Sequence, residues 1–209
     1  MMELLLSDFG AGAFWVLCGY LSGSFLAAYY LPLWLRGVDV TASAPDHNPG
    51  AANAFAACGV PLGVLCLFCD IAKGALPVAA ALRLLGENNL WLGAVMAAPV
   101  LGHAFPLLRH GRGGKAIAVS FGVLIGLWPH WTALWLLVAF YLLFSLVLVV
   151  SPHAARSVLT FGLWLLTAVM FVPQRSILLG CAAVGATVIC KHLRAADGAK
   201  ARVRLFKRA

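Results

Sequence analysis

Residues 54–83 read AFAACGVPLGVLCLFCDIAKGALPVAAALR, thirty residues whose only charges are Asp70, Lys73 and the final Arg83. A helix crosses the hydrocarbon core of a bilayer with about 20 apolar residues. This run is therefore a membrane span, and too long for one straight crossing. Gly74 and Pro77 lie near its two intramembrane charges, so the sequence predicts a kink or a broken pair of helices between 70 and 77.

The same composition extends in both directions. Hydrophobic residues make up 63% of the 209-residue chain and charged residues 11%, against roughly 45–50% and 25% in a soluble domain. The expectation is an all-α, polytopic membrane protein, a single integral membrane domain over residues 1–209 with a basic tail from about 192 to 209. Approximate spans are 12–34, 54–83, 89–108, 115–129, 131–150, 157–172 and 176–191, about seven transmembrane helices. Turn signals at Pro129-His130, Ser151-Pro152 and Pro173-Gln174 separate the later ones.

Basic residues choose the orientation. Threaded through seven spans, one side collects Arg36, Arg109, Arg112, Lys115, Arg156, Lys191, Arg194, Lys200, Arg202, Arg204, Lys207 and Arg208, twelve of the 15 Lys and Arg. The other side receives Arg83 and Arg175. The N-terminus is therefore expected outside and the C-terminus in the cytoplasm, in the inner (plasma) membrane. Lys200 to Arg208 read as a juxtamembrane segment attracted to anionic lipid headgroups, which accounts for much of the net charge of +8 without nucleic acid. The first eleven residues hold Glu3 and Asp8 and no basic stretch, unlike a cleaved signal peptide.

All six cysteines lie within or at the ends of apolar spans. Cys66 and Cys69 form a CxxC, but no second Cys/His pair sits at zinc spacing, so they read as small apolar side chains. Neither a metal nor a cofactor is expected.

In so apolar a chain the polar clusters are the places to look for function. Gly113-Gly114-Lys115 has glycines that let the backbone approach an oxyanion, a following helix N-terminus and a point charge, with Arg109 and Arg112 nearby. Its other reading is a positive-inside loop. Asn48-Pro49-Gly50-Ala51-Ala52-Asn53 is a second candidate loop, with Asn amides able to bond backbone or substrate. Asp70 and Lys73 stand one helical turn apart and can neutralise each other. His103 lies at the end of a span, facing a ligand phosphate or a neighbouring carbonyl.

Taken together these clusters resemble the acyl-phosphate-dependent glycerol-3-phosphate acyltransferases of bacterial membranes. The likeness runs in order through Gly23-Ser24 and Tyr29, residues 48–53 (family pattern GSGNxGATN), Asp70-Ile71-Ala72-Lys73-Gly74 (DxxKG), Gly102-His103-Ala104-Phe105-Pro106 (GHxFP) and Gly113-Gly114-Lys115 (GGKG), and more loosely to Lys191-His192. The chain departs from the pattern at Asp46, His47, Ala52, Ala56, Ala116 and Ala195. The resemblance implies an enzyme that transfers a fatty acyl group from acyl phosphate to glycerol 3-phosphate, giving lysophosphatidic acid. It implies Asn48, Gly50, Asn53, Lys73, His103, Arg112, Gly113, Gly114 and Lys115 as substrate-binding residues, with Lys115 and His192 nearest the chemistry. Two alternatives stay open: a family member that binds phosphorylated lipid or acyl phosphate without turnover, and an anion transporter. His192 and Asp197 also match a His-x4-Asp pattern, read here as coincidence because it sits in a basic tail without the context that pattern needs.

Overall fold

The computed structural model describes residues 2–195 and 200–206. Lys207 and Arg208 of the basic tail, and Asp197, lie outside the described residues. Among the described residues ten α-helices run in chain order: α1 (Met2–Ser24), α2 (Ala27–Arg36), α3 (Val40–Ser43), α4 (Ala51–Cys58), α5 (Val60–Leu85), α6 (Trp91–Ala104), α7 (Ile117–Ile125), α8 (Thr132–Leu142), α9 (His153–Phe171) and α10 (Arg175–Arg194).

Four helical segments, Val60–Leu85, Trp91–Arg109, His153–Phe171 and Arg175–Arg194, are long and apolar enough to cross a membrane. Ser7–Ser24 and Ala27–Arg36 pass the same test as one segment bent by 44°. The exterior is apolar, with Phe68, Leu76, Leu166 and Met170 each about two-thirds or more exposed, which suits lipid and not water. The chain is a multi-pass membrane protein.

The break expected between 70 and 77 falls elsewhere. Gly59, at φ +81°, ends α4 with its N–H on the Phe55 carbonyl, and Pro61 sits in the first turn of α5. From there α5 continues through Asp70, Lys73 and Pro77. A proline has no N–H for the carbonyl four residues earlier, here that of Lys73. Ser22 Oγ donates to that carbonyl at 2.8 Å, so the freed acceptor is satisfied from α1 and the helix need not break.

Helix α6 is central, apolar around its whole circumference and packed between α1 and α10. Close approach depends on small residues. A Cβ on Gly23 would meet the backbone of Pro99, and one on Gly122 would meet the Ile71 carbonyl where α7 crosses α5. Trp164 and Phe161 of α9 close the far side, the indole donating to the Ala133 carbonyl of α8 at 2.8 Å.

The all-α expectation needs one amendment. Helix α8 passes into a π turn (Leu143–Val147) and then into a strand, β1 (Leu148–Ser151), which pairs antiparallel with β2 (Arg202–Leu205). Val147, Val149 and Val150 are β-branched and favour extended backbone, so the span read as 131–150 loses its helix early. Part of the basic tail is thereby strapped to the segment that precedes α9.

Candidate active site

A cavity of about 550 Å³ opens where the first turns of α4, α7 and α9 meet. Ala51, Ala52 and Asn53 of α4, Ile117 and Ala118 of α7, and His153, the first residue of α9, all line it. The first-turn N–H groups of a helix have no intrahelical acceptor and carry its positive dipole end. Three such ends on one cavity favour negative charge there. Ala116, the N-cap of α7, holds φ +62°, a conformation natural to glycine. Leu67, Ile71, Phe121 and Tyr141 form an apolar wall within α5, α7 and α8.

The loop before α4 supplies a carboxylate. Asp46 Oδ2 lies 2.7 Å from Lys115 Nζ. Its Oδ1 accepts from Asn53 Nδ2 at 3.0 Å and from the Asn48 N–H at 3.3 Å. Partial burial pushes the Asp46 carboxyl up, but Lys115, Asn53 and the Asn48 amide together outweigh it and hold the group below the usual carboxylate range. Asn53 Nδ2 also donates to the Asn48 carbonyl at 2.7 Å, which ties the loop at Asn48 to the first turn of α4. The group that most firmly occupies Lys115 is therefore a neighbouring carboxylate.

Below this layer lies a buried hub. Lys73 Nζ is 2.8 Å from Asp70 Oδ1, donates to the Phe25 carbonyl at 2.7 Å and meets His103 Nδ1 at 2.8 Å. The Phe25 carbonyl is available because the chain bends between α1 and α2. An ammonium donates to an imidazole nitrogen that accepts, so the His103 proton belongs on Nε2. Asp70 and His103 reach the cavity lining, while Lys73 stands behind them.

The glycine loop differs from an open anion nest. The Gly113 N–H donates to the Gly111 carbonyl and the Gly114 N–H to the His103 carbonyl, each at 3.0 Å. A Cβ on Gly113 would strike the His103 and Ala104 carbonyls, and one on Gly114 would strike the His103 ring. Both glycines are thus needed to seat the loop on the end of α6. Lys191 Nζ tightens the seat by donating to the Ala104 and Gly113 carbonyls at 2.9 and 3.2 Å. From this loop Lys115 reaches the cavity, and Arg112 lies elsewhere.

His192 is fully buried, with Nδ1 2.8 Å from the Val188 carbonyl, and lies outside the cavity lining. Its ring stacks on His153 at 5.8 Å between centroids, so the imidazole that meets the cavity is His153. Of the residues expected from sequence, the cavity gathers Asn48, Gly50, Asn53, His103 and Lys115. It adds Asp70, Tyr141 and His153. The signal for His153 was only its place after the Ser151-Pro152 turn, and the spacing between a turn and a distant loop is invisible in a linear reading.

A family model described as glycerol-3-phosphate acyltransferase matches residues 13–198. The chain is 44% identical over 115 residues to a glycerol-3-phosphate acyltransferase of Myxococcus xanthus, covering 55% of this chain and 59% of that one. It is 41% identical over 117 residues to one from Pseudomonas paraeruginosa, covering 55% and 61%. The chain spans less than two-thirds of the length of these curated relatives. Among solved structures it is similar to PlsY (YgiH), an integral membrane glycerol 3-phosphate acyltransferase, in its glycerol 3-phosphate form. The TM-score is 0.75 at 26% identity, covering 88% of each chain. The lysophosphatidic acid form of PlsY gives 0.73 over the same share.

Proposed function

The chain belongs to the glycerol-3-phosphate acyltransferase family, and from that premise we propose that it transfers a fatty acyl group from acyl phosphate to the 1-hydroxyl of glycerol 3-phosphate. The products are lysophosphatidic acid and inorganic phosphate. The observation that carries this reading is the convergence of three helix N-termini and Lys115 at the head of a cavity that also holds Asp46, Asp70 and His103 and has an apolar wall at Leu67, Ile71 and Phe121. Anionic groups are held by the amides and the ammonium, and the acyl chain lies along Leu67, Ile71 and Phe121.

The acceptor hydroxyl oxygen attacks the acyl carbonyl carbon, the bond from that carbon to the phosphate oxygen breaks, and phosphate leaves. Phosphate is a good leaving group, so positioning of two bound reactants supplies much of the rate. The hydroxyl proton passes to an oxygen of the departing phosphate. Lys115 neutralises phosphate charge on the bound reactants, glycerol 3-phosphate included, Asn48 and Asn53 hold the loop that covers the acceptor, and His103 offers Nε2–H to a substrate oxygen. His153 takes the place at the cavity expected of His192, which backs its ring. Gly50 starts α4, and Gly113 and Gly114 set the height of Lys115 above His103.

The orientation is part of the proposal. His130, in the turn between α7 and α8, lies 3.9 Å from Glu87 and 3.2 Å from Gln174 Nε2. That turn therefore reaches the same end as the α5–α6 and α9–α10 connections, opposite the cavity. This supports seven crossings, with α1 and α2 as one bent span and α7 as a short one. Lys115, Arg156, Lys191 and Arg194 gather at the cavity end, which supports a cytoplasmic active site in the inner membrane. Membrane-impermeant labelling of single cysteines at Arg175 and Arg112 tests it. Arg175 is expected to label from outside and Arg112 to be protected, and the reverse would invert the topology.

Turnover separates this reading from its alternatives. Purified protein given acyl phosphate and glycerol 3-phosphate should form lysophosphatidic acid, and Lys115→Ala should lower the rate. Binding without product would make the chain a lipid-phosphate binder, and phosphate uptake into sealed vesicles without product would make it a transporter.

A further inference from the structure

The loop that delivers Lys115 to the catalytic cavity places its two arginines in a different one. A second cavity, of about 610 Å³, lies between α2 and residues 108–112, and shares no lining residue with the first. Its walls include Tyr29, Tyr30 and Trp34 from α2 and Arg109, His110 and Arg112 from the loop. The two cavities differ in charge. The catalytic one sets Asp46 and Asp70 against Lys115, whereas among the described residues no carboxylate lines the second.

Neither guanidinium is in an ion pair among the described residues. The Arg109 guanidinium carbon sits 3.7 Å above the centre of the Tyr29 ring, which fixes the plane of the fork. Its Nη1 is buried with no hydrogen-bond partner among the described residues. The carboxylate that feels Arg109, Asp39, is turned to the Thr41 N–H and hydroxyl at 2.8 and 2.7 Å. A buried N–H donor without an acceptor is unfavourable unless a ligand supplies one, and a planar fork matches phosphate oxygens.

The rim is apolar and faces lipid. Phe25 stacks on Tyr30 and Tyr30 meets Trp34 at a tilt, with centroids 5.4 and 5.3 Å apart, and Trp34 and Leu108 are 64% and 73% exposed. Tyr and Trp favour the headgroup level of a bilayer. A cationic floor beneath an aromatic rim fits an amphiphile and not a free ion. We propose that this second cavity binds the phosphate headgroup of an anionic membrane lipid, with Arg109 and Arg112 holding the phosphate and the Tyr29–Trp34 face flanking the glyceryl and acyl portion.

This site is independent of acyl transfer and is tested by binding. Full-length protein purified in neutral detergent is titrated with dioctanoyl phosphatidylglycerol, dioctanoyl phosphatidylcholine and inorganic phosphate. The phosphatidylglycerol should bind at least about tenfold more tightly than either comparison. Arg109→Gln with Arg112→Gln should weaken it by about tenfold or more, while Lys115→Ala leaves it within about twofold. Tyr29→Leu, which keeps both charges and removes the stack, should weaken it by a smaller factor and guards against misfolding of the double variant. Undiminished affinity in the arginine variant, equal binding of phosphatidylcholine, or equal binding of inorganic phosphate would each overturn the proposal.

Discussion

Replacing Asp46 with Asn isolates one interaction. Asn keeps a side-chain oxygen for the Asn53 amide and the Asn48 N–H, and it loses the charge 2.7 Å from Lys115 Nζ. Two unit charges at that distance attract by about 6 kcal/mol at an effective dielectric of 20. The Asp46 side chain is 40% exposed, and water and side-chain entropy reduce exposed pairs to about 1 kcal/mol or less. An incoming phosphate also escapes repulsion from the carboxylate. A net gain of about 1–2 kcal/mol in phosphate binding follows, a drop of about fivefold to thirtyfold in KM for glycerol 3-phosphate. The assay is lysophosphatidic acid formation at fixed acyl phosphate, at low and high salt. The gain should shrink with salt, because screening weakens the repulsion that the variant removes, and kcat should change less than KM. An unchanged or raised KM would refute the idea that Asp46 competes for Lys115, and would make the carboxylate part of the working site.

Lys115→Ala removes a charge-assisted contact of about 1.5–3 kcal/mol, so kcat/KM should fall roughly tenfold to a hundredfold while the protein still inserts and purifies. Because the folded carboxyl of Asp46 lies below its ordinary value, the stability it contributes is present above about pH 4 and lost as pH falls through the lower folded value; thermal melting of the wild type relative to Asp46→Asn should show a constant difference from about pH 5 to 8 and a shrinking one in more acid. Lys73→Met strands Asp70 in the interior and should lower stability by about 3–5 kcal/mol, while Lys73→Met with Asp70→Asn should recover part of that loss in the same melt. Gly122→Ala drives a methyl into the Ile71 carbonyl and should cost about 1–3 kcal/mol; an unaltered melting temperature would show that α5 and α7 separate easily.

Much of the membrane architecture was legible because hydropathy reports directly on burial in lipid. The helix breaks were not. Pro77 and the Asp70–Lys73 pair looked like an interruption, yet Ser22 satisfies the carbonyl that Pro77 frees and the charges close on each other. The Asp70–Lys73 pairing was readable from its one-turn spacing, but the bond from Ser22 comes from a different helix, which no local pattern contains. The strand Leu148–Ser151 was hidden for the same reason, since its partner Arg202–Leu205 lies beyond two further helices.

In the site, residue types were readable and directions were not. Lys115, Asn48 and Asn53 all line the first cavity. Arg112, three residues from Lys115, lines the other cavity because the turn at His110 and Gly111 reverses the loop. The Gly113 and Gly114 amides looked free for an anion and are instead bonded to the Gly111 and His103 carbonyls.

The most direct test of the central claim is a mass balance on the purified full chain, with isotopically labelled glycerol 3-phosphate and a defined acyl phosphate in detergent. The account predicts that label appears in lysophosphatidic acid and that one inorganic phosphate is released for each molecule formed. Inorganic phosphate released without labelled lysophosphatidic acid, or acyl phosphate bound and left intact, would contradict it.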